Sequence, residues 1–367
     1  MDDCLVVGAG VVGLSLAYEL AGQGRRVRVL DAGTPGREAS WAGAGILPPA
    51  ATRSTAAIDE LTALSNHIHE RWVEQLREET GIDNGYRACG GVYVAFEEAA
   101  ATELIAAAEL WGQQGIAVTK LAPEAVADCE PGLRPVAPLR AAYFLPDEKQ
   151  LRNPRHLKAL LAGCARRGVE INSGAMAEGF EVVGPKLKGV RTATETFHAE
   201  AVCFTAGAWT RSLLVRLGVQ IEIRPIRGQI ALLSCARPAL RRVVNLGKRY
   251  LVPRADGRVL VGSTEEDVGF DRSTTAIAIE QLLAMALTLV PALAGAQLER
   301  CWAGLRPSTR DGLPYLGIIP GLENAYVAAG HFRSGLQLSS GTAVVMSRLI
   351  RGEDPQINLH SLRIGRE

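Results

Sequence analysis

The chain has 367 residues, of which 47% are hydrophobic and 22% are charged, and 40 lysines and arginines against 39 acidic residues leave a net charge of +1. At roughly 150 residues per domain, this length predicts about two domains with a sizeable core, and the composition excludes a disordered or fibrous protein. The near-zero charge and the scattered basic residues argue against a nucleic-acid partner.

The sequence predicts neither a membrane segment nor a metal site. Met1 is followed by two aspartates rather than by a basic segment, and the longest nearly uncharged stretch, 282–298, contains Pro291 and Gly295. That stretch is shorter than the roughly 20 apolar residues that cross a bilayer, so we expect a cytoplasmic protein. The seven cysteines form no Cys-x-x-Cys pair and the histidines lack ligand spacing, which predicts free thiols and no bound metal.

The first residues of the chain predict a strand, a helix and a second strand. Apolar residues 4–7 are typical of a buried strand, the glycine-rich segment 8–13 leads into a helical pattern, and apolar residues 27–30 form another strand. This unit is half of a doubly wound sheet. A loop of small residues at 40–49 follows, and then an amphipathic helix is predicted from about residue 58 to 79.

The rest of the sequence predicts further strands of this first sheet and a second, antiparallel sheet. The predicted elements are strands at 91–96, 168–171, 201–205, 228–233, 249–253, 259–261 and 325–330, and helices at 99–114, 156–167 and 335–350. The strand at 91–96 and those between 220 and 262 are expected to form one antiparallel sheet from two separated chain segments. The remaining strands are expected to join the first sheet.

Three glycines have the spacing of a dinucleotide-binding turn. Gly8 lets the chain turn, Gly10 lets a pyrophosphate approach the backbone, and Gly13 lets helix and strand pack closely. The phosphates would lie at the helix N-terminus, and Asp31, 21 residues after Gly10, would accept hydrogen bonds from the ribose hydroxyls. The pattern predicts a dinucleotide but does not choose between FAD and NAD, because both contain the same adenosine diphosphate half.

Further segments favour a flavin and together resemble a known family. The loop of small residues could pass close to an extended cofactor, and Gly207 and Gly330 each follow a predicted strand at the edge where ligands bind. The whole pattern is similar to the D-amino acid oxidase-like flavoproteins, and among them to the branch that oxidises glycine. The segments that carry this resemblance are 7–13, 40–47, 225–229, 249–254, 302–307 and 330–335.

The resemblance implies an α/β fold with an α+β second domain. A doubly wound, Rossmann-like FAD-binding domain would comprise 1–80, 146–219 and 306–367, and a discontinuous antiparallel-sheet substrate domain would comprise 81–145 and 220–305. FAD would be bound without a covalent link, and the protein would be a homo-oligomer, with a tetramer as the expected form. The implied cofactor-binding residues are Gly8, Gly10, Val11, Val12, Gly13, Asp31, Ala32, Ala39, Ser40, Ala44, Gly45, Ile46, Ala177, Gly207, Gly330, His331, Phe332, Arg333, Ser334, Gly335, Leu336 and Gln337.

The same resemblance places the substrate carboxylate on Arg306 and Tyr250, with Arg333 close by at the flavin. A guanidinium matches a planar carboxylate, and a phenol can donate a further hydrogen bond without adding charge. Two positions depart from the family pattern: Lys248 replaces a histidine, and Glu265 replaces a methionine of the pocket. Glu265 would hold a substrate ammonium or disfavour bulky apolar side chains, or it would point to solvent from a strand end.

The implied reaction is the oxidative deamination of a small amino acid, glycine before sarcosine or D-alanine. Hydride would pass from the neutral amine to the flavin without an obligatory side-chain base, and dioxygen would leave as hydrogen peroxide. The imine would hydrolyse to the 2-oxo acid or feed thiazole synthesis for thiamin. Two alternatives stay open: a dehydrogenase of the same fold that passes electrons to a quinone or carrier, and a nicotinamide-binding regulator without turnover.

Overall fold

A computed structural model describes residues 1–135 and 137–366, which contain nineteen strands, nine α-helices and four short 3-10 helices. The strands are β1 Asp2–Val7, β2 Val27–Asp31, β3 Ile46–Leu47, β4 Arg87–Ala88, β5 Gly91–Ala95, β6 Thr119–Lys120, β7 Ala141–Leu145, β8 Lys149–Gln150, β9 Glu170–Ser173, β10 Gly179–Val183, β11 Lys186–Arg191, β12 Thr196–Phe204, β13 Ile223–Ser234, β14 Val243–Leu246, β15 Arg249–Pro253, β16 Arg258–Gly262, β17 Gln297–Thr309, β18 Tyr315–Ile318 and β19 Ala325–Ala329. The helices are α1 Val11–Gly22, α2 Ala39–Ala42, α3 Ala57–Thr80, α4 Glu98–Gln113, α5 Pro123–Cys129, α6 Asn153–Arg166, α7 Thr210–Val215, α8 Ala276–Leu289 and α9 Gly335–Ile350.

The first sheet is built around the predicted strand-helix-strand unit. β1 pairs in parallel with β2 on one side and with β12 on the other, and β9 and β19 extend these two sides, also in parallel. α1, α3, α6 and α9 pack together in a core that includes Tyr18, Trp72 and Met346. Because the carboxyl ends of parallel strands meet at one edge, the segments that follow β1, β2, β12 and β19 converge there.

The second sheet has the order β17-β13-β16-β15-β14-β5-β7-β6 and combines the two predicted chain segments. One correction applies: the prediction made this sheet antiparallel throughout, but β14 and β5 pair in parallel. The two segments meet at this pair, and because no hairpin joins them, nothing local sets their relative direction. The division of the chain into two domains at the residues given above remains a prediction.

The two faces of the second sheet have different neighbours. One face packs against α5 and α8 in a core that includes Val92, Leu251 and Leu282. The other face carries Tyr250, which packs in one cluster with Ala44 of the segment between α2 and β3. This second face is therefore the one that turns toward the edge of the first sheet.

The structure also describes the cysteines, the possible metal ligands and the helices that were considered in the sequence. All seven cysteines are free thiols, and in residues 1–135 and 137–366 no three histidine, cysteine or acidic side chains are grouped as metal ligands. Within those same residues, no helix combines the length and the apolar character needed to cross a membrane.

Candidate active site

A cavity of about 720 Å³ lies at the carboxyl edge of the first sheet and extends to the second sheet. Its walls contain nearly all the residues that the sequence analysis assigned to a cofactor and a substrate. Of the predicted cofactor residues only Gly13 is outside the lining, and of the predicted substrate residues only Glu265 is outside it. Residues from separate parts of the chain, such as Asp31, Arg306 and Gln337, therefore meet around one space.

The glycine-rich turn has the geometry that its spacing predicts. A Cβ atom on Gly13 would lie 2.0 Å from the carbonyl oxygen of Gly8 and 2.5 Å from Thr205 Oγ1, so α1 packs against β1 at a distance that only glycine permits. Gly10 lines the cavity, and the neighbouring amide of Val11 donates a hydrogen bond of 2.9 Å to Ser40 Oγ. The N-terminus of α1, with its positive dipole end, therefore faces the cavity, where an anion would be stabilised.

Asp31 is held at the end of β2 by two backbone amides. Its Oδ2 accepts from the amide of Ala9 at 2.7 Å, and its Oδ1 accepts from the amide of Gly33 at 2.8 Å. Each carboxylate oxygen keeps a further lone pair, so the group can also accept from hydroxyls in the cavity. Nearby, Asn153 donates to the carbonyl oxygen of Ser40 at 2.7 Å, while its buried Oδ1 has no partner among the residues described. These groups fit a polar cofactor with hydroxyl and N–H donors.

A buried arginine supports the loop of small residues. Arg254 Nη2 donates to the carbonyl oxygen of Ala44 at 2.6 Å, and Nη1 donates to Gln150 Oε1 at 2.8 Å and to the carbonyl oxygen of Leu151 at 2.9 Å. Burial, together with the charge of Arg152, lowers the pKa of Arg254 to about 9, so the guanidinium stays charged at neutral pH. Arg254 lies in the segment 249–254 that resembles the family, but its sequence context gave no role for it.

Arg306 projects from β17 into the cavity, beside Tyr250 of β15. Its Nη2 donates to Ser263 Oγ at 2.6 Å and its Nη1 to the carbonyl oxygen of Thr264 at 3.2 Å. Gly228, its neighbour on β13, leaves room for it, since a Cβ there would lie 2.2 Å from the guanidinium. Burial lowers the pKa of Arg306, and Tyr250 opposes this shift. No carboxylate within the described ranges forms a salt bridge with Arg306, so this cation can bind an anion from the cavity.

The third predicted substrate residue, Arg333, has partners in the protein. Its Nη1 lies 3.3 Å from Glu265 Oε2, and its Nη2 donates to the carbonyl oxygen of Lys248 at 2.9 Å. Lys248 Nζ lies 3.4 Å from the other oxygen of Glu265. Glu265 is therefore held by two cations just outside the residues that line the cavity, and its predicted role toward the substrate stays a prediction. The two departures from the family pattern thus contact each other.

Some residues of the cavity wall had no place in the sequence analysis as site residues. Tyr93 and Asn245 line the cavity on the second sheet, and Trp209 lines it at the first sheet, where its ring lies 5.5 Å from that of Phe270. Strand alternation could have placed Tyr93 on one face of β5. The pairing of β5 with β14, which brings Asn245 beside it, has no signal in the sequence.

Comparisons with known proteins identify the family. A family model described as FAD dependent oxidoreductase matches residues 3–349. The chain belongs to this family. It is 36% identical over 356 residues to the glycine oxidase of Pseudomonas putida, with 96% of each chain covered. It is 30% identical over 369 residues to the bifunctional protein ThiO/ThiG of Synechocystis, which covers 98% of this chain and 53% of that protein.

A solved structure agrees with this assignment. The crystal structure of glycine oxidase from Geobacillus kaustophilus has a TM-score of 0.95 and 31% identity to this FAD-dependent oxidoreductase, covering 100% of this chain and 99% of the other. The predicted family, the predicted fold class and FAD as the cofactor are confirmed, and the alternative of a nicotinamide-binding regulator is wrong. The chain is an FAD-dependent oxidoreductase of the glycine oxidase type.

Proposed function

We propose that this enzyme oxidises glycine, and more slowly sarcosine and D-alanine, and that dioxygen accepts the electrons. Glycine would lose one hydrogen from Cα and one from its nitrogen, which together are two electrons and two protons, and its C–N single bond would become the C=N bond of the imine. These electrons and protons would reduce dioxygen to hydrogen peroxide, and water would convert the imine to glyoxylate and ammonia. The observation that carries the proposal is the Arg306 guanidinium, which lines the cavity without a carboxylate partner among the residues described.

The proposed roles follow from the contacts around this guanidinium. Arg306 would bind the substrate carboxylate through the N–H groups that Ser263 and Thr264 leave free, and the Tyr250 hydroxyl would donate a further hydrogen bond. FAD, when bound without a covalent link, supplies the hydride acceptor. The two side chains would fix the Cα–H bond in one direction, so positioning rather than a side-chain base would supply most of the rate enhancement.

Peroxide release by the purified yellow protein tests this proposal. Glycine, sarcosine, D-alanine and D-proline are compared for hydrogen peroxide formation and oxygen consumption, and glycine is expected to be the best of the four. The dehydrogenase alternative predicts a different result, in which the amino acid reduces the flavin but only a quinone restores it quickly. A flavin that none of the four amino acids reduces would refute amino acid oxidation altogether.

We further propose that the imine feeds thiazole synthesis for thiamin in the cytoplasm. The support is the relative named ThiO/ThiG, whose similarity covers 98% of this chain. Deletion of the gene should make growth depend on added thiazole or thiamin, and undiminished growth without either would contradict this role. We also propose a homo-oligomer, with a tetramer as the expected form, which light scattering of the holoenzyme would detect.

A further inference from the structure

Three polar side chains form a row on the cavity face of the second sheet. Asn245 of β14 lies directly opposite Tyr93 of β5 and, on its other side, opposite Tyr250 of β15. Residues directly opposite each other on paired strands project from the same face, and all three line the cavity. The row therefore continues the cavity wall away from Arg306, past the proposed carboxylate site.

A fully buried carboxylate lies behind this row. Glu148, in the turn between β7 and β8, has no exposed surface, and it accepts a hydrogen bond from the Tyr93 hydroxyl on Oε2 and one of 3.1 Å from Asn245 Nδ2 on Oε1. Gly91 makes room for it, because a Cβ there would lie 2.2 Å from Oε1. Glu148 forms no salt bridge among the described residues, so its two neutral partners alone compensate its burial.

These hydrogen bonds decide which atoms the row can offer to a ligand. An ionised carboxylate only accepts, so Tyr93 gives it its single hydroxyl hydrogen and Asn245 gives it an amide hydrogen. The Tyr93 oxygen and Asn245 Oδ1 then have lone pairs for the cavity. At the other end of the cavity, the guanidinium of Arg306 and the hydroxyl of Tyr250 offer hydrogen-bond donors instead. A bound α-amino acid has the complementary arrangement, with acceptors on its carboxylate and donors on its amino group.

We infer that Tyr93 and Asn245 bind the substrate amino group, and that Glu148 is a positioning residue that keeps both oriented as acceptors. This inference rests on the proposed function, because it requires an amino acid whose carboxylate is at Arg306. It adds a specificity determinant: a carboxylic acid without an amino group would gain nothing from these residues. Neither the family match nor the names of the relatives assign such a role.

Glu148 should also make amino-group binding depend on pH. Burial raises its pKa to about 7, while the hydrogen bonds from Tyr93 and Asn245 oppose this shift. Tyr93 is the titratable group in contact with it, and burial and the Glu148 charge raise the pKa of Tyr93, so that phenol stays protonated. The adjacent Lys149 pairs with Glu70 instead. Below about pH 7 the protonated Glu148 becomes a donor, the orientation of the row is lost, and glycine binding weakens.

The test compares glycine with acetate, which has the carboxylate but no amino group. Anaerobic flavin reduction by glycine gives its Kd, and flavin absorbance gives the Kd of acetate, both for the holoenzyme between about pH 6 and pH 9, the range over which Glu148 titrates. At the alkaline end, Glu148→Gln should raise the glycine Kd about tenfold and leave the acetate Kd within about twofold. The wild-type rise in glycine Kd below about pH 7 should disappear in the variant.

Two further variants make the result specific. Tyr93→Phe should raise the glycine Kd in the same way, and it tests the inference independently if Glu148→Gln does not fold. Glu130→Gln is the matched control, since Glu130 is also fully buried and accepts the amides of Arg241 and Arg242, but it is not in the cavity wall. It should leave both Kd values unchanged.

The possible failures are distinguishable. An unchanged glycine Kd in both Glu148→Gln and Tyr93→Phe, or equal losses for glycine and acetate, would overturn the inference while leaving the proposed function intact. A wild-type holoenzyme that binds acetate but is not reduced by glycine would refute the proposed function, and the inference with it.

Discussion

Removal of the Arg306 side chain is the most direct test of the proposed substrate site. Two of its N–H groups are committed to Ser263 Oγ at 2.6 Å and to the carbonyl oxygen of Thr264 at 3.2 Å, and the others are available for a carboxylate. A charge-assisted pair of this kind, partly shielded from water, contributes about 2 to 4 kcal/mol. Arg306→Ala should therefore lower kcat/KM for glycine by roughly 30- to 900-fold, since about 1.36 kcal/mol corresponds to tenfold.

The assay measures peroxide release against glycine concentration, together with the FAD content of the purified variant. Flavin should remain bound, because the predicted contacts of Arg306 are with the substrate. Arg300→Ala, on the exposed part of the same strand, is the control and should leave kcat/KM unchanged. Arg306→Lys keeps the charge but loses the planar match, so it should lie between wild type and Arg306→Ala. Full activity of Arg306→Ala with flavin bound would refute the assignment.

Gly13→Ala would place a methyl group 2.0 Å from the backbone oxygen of Gly8. Thermal unfolding should therefore show that the free energy of unfolding falls by about 2 to 3 kcal/mol. An unchanged Tm would contradict the close packing. Asp31→Asn removes a charge that the amides of Ala9 and Gly33 orient, and we expect the Kd of FAD to rise about tenfold in fluorescence titrations, whereas equal affinity would argue against ribose binding there. Arg254→Met leaves buried acceptors such as the Ala44 oxygen unpaired. Denaturant unfolding should show that the free energy of unfolding falls by about 3 kcal/mol, and wild-type stability would refute this role of Arg254.

The elements with strong local signals could be predicted from the sequence. The strand predicted at 249–253 corresponds to β15, and the helix predicted at 335–350 corresponds to α9. The amphipathic helix predicted at about 58–79 is one residue longer at each end in the structure. In these segments an apolar run or a helical period is bounded by glycine or polar residues, so the signal is contained in the segment itself.

Elements that depend on pairing with distant segments were not predictable in the same way. β17 has thirteen residues, but its first four are exposed and include Glu299 and Arg300, so the sequence lacks the apolar alternation of a strand. These residues are extended because β13 pairs along nearly the whole length of β17. The hairpin of β10 and β11 was missed for a related reason, since at least half of the residues of each strand are exposed.

Single residues of the candidate site also divide into those with a local sequence signal and those whose role depends on a distant partner. Arg306 and Tyr250 were identified because each lies in a segment that resembles a family motif, and no knowledge of their pairing was needed. Lys248 and Glu265 appeared in the sequence as two unrelated departures from that motif, although their side chains contact each other, and Arg333 contacts the Glu265 carboxylate and the Lys248 carbonyl oxygen. Glu265 therefore pairs with both cations at once, and because Lys248 and Arg333 are 85 residues apart in the chain, no single segment of the sequence could show this arrangement.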